Sequence, residues 1–286
     1  MVKMCQGPDP NPTPPRLKAP AGATDTHFHI FGPEDRYPFV PERRFTPPDA
    51  SVASYMKMHR TMGLSRAVLV QPSMYGTDNR RQLDAAREMD IPTRTIVVVP
   101  VTVADAEIEA LHAQGARGVR FNPSQPGSLP LDQLDRFAER LAGFGWHIQL
   151  MLTPAQLIEL APHLGKLRCT IVIDHMGDVR SSGGVNQPAF QALLGLVRGE
   201  QCWVKLSAGY HHSDQAPPYP ETIPLTHALV DACPDRLLWG SDWPHANHWG
   251  RMPNSTDLFD LLLEWVPDEA VRTRILVDNP ARLYGF

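Results

Sequence analysis

The sequence predicts an α/β protein of the (β/α)8 TIM-barrel class, a single domain preceded by a proline-rich N-terminal arm. Short apolar runs alternate with longer amphipathic ones from Ala23 onward, the mark of parallel strands joined by crossover helices. The short runs number eight. Several, such as Thr95-Ile-Val-Val-Val99 and Thr170-Ile-Val-Ile173, are apolar at consecutive positions, as strands buried on both faces require. An open doubly wound sheet gives a similar alternation, but its Gly-x-Gly-x-x-Gly phosphate-binding turn is absent after the first run.

Taken in order, residues 1–22 form the arm. Six prolines among the first twenty positions rule out a signal peptide and leave a segment that is either mobile or strapped across the barrel. Residues 23–286 form the barrel. Its strand candidates are Ala23–Phe31, Arg66–Gln71, Thr95–Val101, Gly118–Asn122, Trp146–Leu152, Thr170–Asp174, Cys202–Leu206 and Leu237–Ser241. Between them, sets such as Leu131, Leu134, Phe137, Ala138 and Leu141, or Phe190, Leu193, Leu194 and Val197, recur at helical spacing and would cover the strands from outside. Gly32–Asp49 is a long Pro-, Arg- and aromatic-rich loop after the first strand. In a barrel it overhangs the C-terminal mouth, where active sites sit, and is expected to serve as a lid or a substrate contact.

With 286 residues, 42% of them hydrophobic, the chain can bury one substantial core. A net charge of −4 from 27 basic and 31 acidic residues, with no basic stripe, excludes nucleic acid as an expected partner. The four cysteines form no C-x-x-C pair, which argues against a disulfide framework and a thiolate metal site. No run of about 18 apolar residues occurs, so a soluble cytoplasmic protein acting on a small molecule, without a membrane partner, is expected. A homo-oligomer is compatible with the sequence, although no single apolar stripe marks an interface.

The strand ends carry the chemistry. Strand one ends in Asp25-Thr26-His27-Phe28-His29, and histidines at i and i+2 on a strand point the same way, toward one metal ion or one substrate. Strand six ends at His175 and strand eight at Asp242, a carboxylate whose burial makes it costly to leave unpaired. Each alone has a structural explanation, as a core histidine or a capping aspartate. Together, at strand ends and in barrel order, three imidazoles and a carboxylate form a site.

The strings Asp25-x-His27-x-His29, Asp174-His175-Met176-Gly177, Gly240-Ser241-Asp242-Trp243-Pro244-His245 and Asn279-Pro280-Ala281-Arg282-Leu283-Tyr284 resemble the amidohydrolase superfamily in its amidohydrolase-2 branch. Through His29-Ile-Phe-Gly-Pro33, Gly76-Thr-Asp-Asn79 and Gly118-Val-Arg-Phe-Asn122 the chain is most similar to the lactonases typified by 2-pyrone-4,6-dicarboxylate hydrolase. The resemblance implies that Asp242 is the general base that activates water, and that His27, His29 and His175 polarise the scissile carbonyl directly or by holding a divalent ion. It also implies that Arg120 grips a substrate carboxylate, with Ser73 and Asn122 orienting substrate or water. Strand four offers no lysine for a bridged metal pair, so the resemblance implies either no cofactor or a single Zn²⁺ or Mn²⁺ on His27, His29, His175 and Asp242. Which of the two holds stays open.

Departures from the type bear on the substrate. Arginines that the type keeps after strands four and seven are replaced by Pro123-Ser-Gln-Pro-Gly127 and Ser207-Ala-Gly-Tyr-His-His-Ser213, and two tyrosines by Phe45 and Met151. A lactone with fewer carboxylates is therefore expected. Lys205, Tyr210, His211 and His212 around the end of strand seven are candidates to replace the lost arginines, and His245 and His248 to line the mouth, although loop histidines are commonly just solvated. The resemblance leaves two other activities of the branch open: metal-dependent decarboxylation of an unsaturated or aromatic acid, which shares this residue set, and sugar-acid lactone isomerisation, whose enzymes resemble the chain less because they tend to lack an intact H-x-H. A non-catalytic binding protein on the same barrel is the third class.

Overall fold

In a computed structural model describing residues 2–126 and 128–286, the eight apolar runs become eight parallel strands ordered consecutively in one sheet. They are β1 (Thr24–Phe28), β2 (Arg66–Val70), β3 (Thr93–Val97), β4 (Ala116–Phe121), β5 (His147–Leu150), β6 (Ile171–Ile173), β7 (Cys202–Ser207) and β8 (Leu237–Gly240). Alternating with them are α1 (Val52–Met62), α2 (Arg80–Glu88), α3 (Asp105–Ala113), α4 (Leu134–Ala142), α5 (Pro154–Leu164), α6 (Pro188–Arg198) and α7 (Ile223–Ala232). Their apolar faces cover the strands, with Phe137 and Leu141 of α4 and Phe190, Leu193 and Val197 of α6 buried.

Every expected strand is present, and the differences lie at the ends. Strand three begins at Thr93 and stops at Val97, short of the expected Val101. There the side chain of Asn79 replaces a neighbouring strand: Val98 N donates to its Oδ1 at 2.9 Å and its Nδ2 donates to Val98 O at 2.8 Å. Leu131 falls in a separate 3₁₀ turn, Leu131–Gln133, ahead of α4. Gly127, the last residue of the string Pro123-Ser-Gln-Pro-Gly127, lies outside the described residues.

The barrel closes where β1 meets β8, and it does so just past the regular strands. Asp242 N donates to His27 O and His29 N donates to Trp243 O, each at 2.8 Å, with a parallel bridge between Phe28 and Trp243. This approach needs glycine at 240: a Cβ there would stand 2.6 Å from His27 Cβ and 2.8 Å from His27 N. The seam is thus built from the same residues as the expected site.

The arm is strapped across the molecule. Lys3–Met4 pairs in parallel with Phe45–Thr46 of the long first loop, and Cys5 N donates to Thr46 O at 3.0 Å. Cys5 and Leu17 are buried in the core, and the Asp260 carboxylate accepts from Arg16 N at 3.0 Å and Leu17 N at 2.8 Å. The four cysteines are free thiols. Among the described residues no helix is long and apolar enough to cross a membrane.

Candidate active site

Asp25 fastens the seam beneath the site. Its Oδ1 accepts from His27 N (3.1 Å) and Ser241 N (2.9 Å), and its Oδ2 from Ser241 Oγ (2.6 Å) and Tyr55 OH (3.1 Å). Burial still pushes its carboxyl up to about 6, against the Ser241 and His27 hydrogen bonds that favour the charged form.

Above it, His27, His175 and Asp242 converge, their ligand atoms all within 4.8 Å of one another. Asp242 Oδ1 lies 3.6 Å from His27 Nε2 and 3.5 Å from His175 Nε2, while its Oδ2 accepts a short bond from Tyr210 OH. His175 and Asp242 occupy the left-handed region at φ 44° and 57°, which costs a non-glycine residue roughly 1–2 kcal/mol. Neighbouring bonds hold them there: His175 Nδ1 lies 2.8 Å from Ser207 Oγ, and Asp242 N is a seam donor.

His29 stands beside this trio, its ring 5.0 Å from that of His27, without a ligand atom in the cluster of three. Its Nδ1 lies 2.8 Å from Val70 O. A carbonyl only accepts, so Nδ1 carries the proton and Nε2 presents a lone pair. Burial, then the neighbouring His27 and Arg120, push its pKa down to about 3, and burial likewise lowers His27 and His175. Burial opposes ionisation of Asp242 as well, but the imidazoles of His175 and His27 outweigh it and hold the carboxyl below its usual range. The site at neutral pH is a carboxylate among neutral imidazoles.

A second layer, not foreseen from the sequence, orients the first. Asp174 is fully buried and meets His27 Nδ1 at 3.1 Å, Lys205 Nζ at 3.4 Å, Arg120 Nε at 3.4 Å and Gln149 Nε2 at 3.1 Å. Lys205 Nζ donates to Thr26 O and Gln149 Oε1, both at 2.9 Å. Lys205 therefore lies inside the barrel and does not replace a lost arginine at the mouth. His212 is also interior, its nitrogens near Val179 O and Ser207 O. His245 is fully buried between Tyr210 and Ser255 and does not line the mouth, whereas His248 is half-buried, its Nε2 3.1 Å from Arg251 O. A burial signal for Lys205 is available in hindsight, since it sits within the apolar strand Cys202-Trp-Val-Lys-Leu206.

A cavity of about 330 Å³ opens onto His29, His175 and Asp242. Ser73, Arg120 and Asn122 line it as well, and so do Phe45 and Met151. His27 lies beneath, fully buried, its Nε2 without a hydrogen-bond partner. Arg120 spends Nε on Asp174 and Nη1 on Gln71 O at 3.3 Å. The Asn122 side-chain oxygen accepts from Ser124 Oγ at 2.9 Å. His211 faces the cavity with Nδ1 3.0 Å from Asp178 Oδ1. Burial lowers its pKa, but the Asp178 hydrogen bond and charge outweigh it and leave the group raised.

The orphaned, buried Nε2 of His27 beside a second imidazole and a carboxylate fits one divalent ion of the zinc or manganese kind. His27, His175 and Asp242 supply the donors, and the lone pair of His29 lies alongside.

A parallel barrel with a carboxylate and imidazoles at the C-terminal mouth, facing an open cavity, defines a hydrolytic enzyme of the barrel class. Comparison with known proteins makes this specific. Residues 24–286 match the amidohydrolase family model. The chain is 39% identical to a 4-sulfomuconolactone hydrolase of Hydrogenophaga intermedia, over 98% of this chain and 94% of that one. It is 38% identical to a 2-pyrone-4,6-dicarboxylate hydrolase of Comamonas testosteroni, over 96% and 93%. The solved structure of a probable 2-pyrone-4,6-dicarboxylic acid hydrolase from Acinetobacter baumannii, with citric acid bound, superposes with a TM-score of 0.81 at 30% identity, covering 93% of this chain and all of that one (100%). The chain belongs to the amidohydrolase family and is a hydrolase.

Proposed function

We propose that the chain opens a lactone of a small organic acid by water attack. The observation that carries this reading is the division of labour on Asp242: Tyr210 occupies Oδ2, while Oδ1 faces two imidazoles and the substrate cavity. An ionised carboxylate with one oxygen tied and one free is poised to take a proton from water. The relatives named as lactone hydrolases support the choice of substrate class.

Water gives its proton to Asp242 Oδ1 as its oxygen bonds to the lactone carbonyl carbon. The carbon–oxygen bond of the ring then breaks, and the proton passes to the departing ring oxygen, giving a hydroxy acid. The carbonyl oxygen is received by His175, whose Nε2 donates when Ser207 Oγ donates to Nδ1. His29 cannot share that role while neutral, because its only N–H is given to Val70 O. Its Nε2 accepts from water or from a substrate hydroxyl instead. Arg120 holds an acid group with the one guanidinium nitrogen that Asp174 and Gln71 leave free, and Ser73 and Asn122 orient the ring. In the other tautomer, with Nδ1–H donating to Ser207 Oγ, His175 Nε2 presents a lone pair instead, and a divalent ion held by His27, His175 and Asp242 would then supply the Lewis acidity at the carbonyl in place of that N–H.

The test is proton release on a panel of lactones before and after chelation, with metal content measured on the same preparation, for the wild type and Asp242→Asn. Opening of a lactone by the wild type, lost about a thousandfold or more in the variant while the fold persists, is expected. Carbon dioxide released from an unsaturated acid, with no lactone opened, would establish the decarboxylase instead.

A further inference from the structure

The cavity described above holds charged groups that answer one another, with one exception. Arg120 faces Asp174, and His211 faces Asp178. Arg44 also lines the cavity, is exposed, and makes no hydrogen bond or ion pair to any described residue. Its neighbour differs in this respect: Arg43 is bound to Thr46 Oγ1 at 3.0 Å and Val40 O at 2.9 Å. A guanidinium left free at the rim of a site that closes on a small acid has room for a bidentate anion contact.

The backbone that carries Arg44 is not a free loop. The next two residues, Phe45–Thr46, are the strand that pairs with Lys3–Met4 of the arm. Phe45 is buried against the core, and Cys5 N completes the pairing on Thr46 O. The arm is anchored in turn by the buried Leu17 and by Asp260. A chain of backbone bonds therefore runs from the N-terminal residues to the one unpartnered guanidinium among the described residues lining the cavity.

We infer that Arg44 is a specificity-determining residue that grips an anionic substituent of the substrate, a carboxylate or a sulfonate, remote from the scissile carbonyl, and that residues 3–5 of the arm are positioning residues for it. The inference rests on the lactonase reading for its substrate class, while the anion site itself stands independently of turnover. The substrate is then a lactone with an acid group at the rim as well as any held by Arg120.

Two measurements test this on the full-length chain. The first is the ratio of kcat/KM for a lactone bearing a carboxylate, or a sulfonate, to that for the same ring without it. Arg44→Ala should lower that ratio about tenfold, the loss of one charged hydrogen-bonding contact, mainly through KM, and Arg44→Lys should recover part of it. Cys5→Pro, which removes the donor to Thr46 O, should lower the ratio too, whereas Cys5→Ala, which keeps it, should not. The carboxylate and sulfonate arms show which anion the rim prefers. The second measurement is calorimetric binding of citrate, which needs no turnover: the wild type should bind it about tenfold more tightly than Arg44→Ala. Equal ratios and equal citrate affinities in the wild type and Arg44→Ala, or no citrate binding by either, overturn the anion site. An unchanged ratio in Cys5→Pro overturns the role of the arm. Arg44-dependent citrate binding with no lactone opened by the wild type would overturn the lactonase reading and leave the anion site standing.

Discussion

Replacing Gly240 by alanine tests whether the seam positions the site. The added methyl would stand 2.6 Å from His27 Cβ, whereas ordinary contact begins at 3.4 Å, so the two strands must part by about 0.8 Å, the difference between those distances. Both seam bonds, now 2.8 Å, would then stretch past hydrogen-bonding length. Two backbone bonds at about 1 kcal/mol each, with about 1 kcal/mol of residual overpacking, give a destabilisation of about 3 kcal/mol. His27 moves with the strand and away from Asp242, and a shift of this size at a reacting group costs on the order of 100-fold in rate. Urea unfolding read by fluorescence and kcat/KM on the best lactone substrate measure the two effects. Gly195→Ala is the control: Gly195 lies within α6 with nothing near its Cβ position, and alanine there should stabilise by about 0.5–1 kcal/mol. A Gly240→Ala protein with wild-type midpoint and wild-type kcat/KM would refute the reasoning.

Acid lability and a buried charge give two further predictions. Burial lowers His29 and His147 to about 3, and His59, His212 and His245 to about 4. Each is neutral in the fold and titrates near 6.5 when unfolded, so its contribution is complete above that value and is lost as pH falls toward the folded one, at no more than about 1.4 kcal/mol per pH unit per group. Asp25, raised to about 6, works in the opposite sense, its contribution falling as pH rises from 3.8 to about 6, but it is one group against five. The melting temperature should therefore drop steeply between pH 7 and 5, and a flat profile across that range would show that the buried histidines do not govern acid stability. Lys205→Met leaves the Asp174 carboxylate buried with one cation fewer, and should cost about 3–5 kcal/mol in a denaturant titration; a loss under about 1 kcal/mol would mean that Arg120 and His27 suffice to hold the charge.

What the sequence disclosed and what it withheld have separate physical causes. The eight strands were legible because both of their faces are buried, and that condition writes itself as runs such as Thr170-Ile-Val-Ile173. His27, His175 and Asp242 were legible because strand ends of a barrel share one mouth. For the arm the sequence leaves mobile and strapped open, since a two-residue pairing such as Lys3–Met4 with Phe45–Thr46 has no periodicity to read. Lys205 reads as a mouth residue because a lysine is expected near water, and only the network of Thr26 on β1, Gln149 on β5 and Asp174 at the end of β6 explains its burial. Strand three reads as running further than it does because Val98 and Val99 look like strand, while the side chain of the distant Asn79 ends the ladder. Tyr210 stands out near the end of strand seven, but its bond to Asp242 across 32 positions of chain leaves no local trace.

The seam gives the protein a property that a loop-built site lacks. Asp242 N reaches His27 O only when the first and last strands have found each other, so the Asp242 carboxylate and the His27 imidazole share a site only in a chain whose two ends have been brought together. A nascent or nicked barrel that has formed its first six or seven strands carries His27 and His29 yet has no reactive centre to expose. Competence for hydrolysis is therefore a readout of topological completion, and any cellular partner or stress that pries the last strand loose would silence the enzyme before it unfolds it.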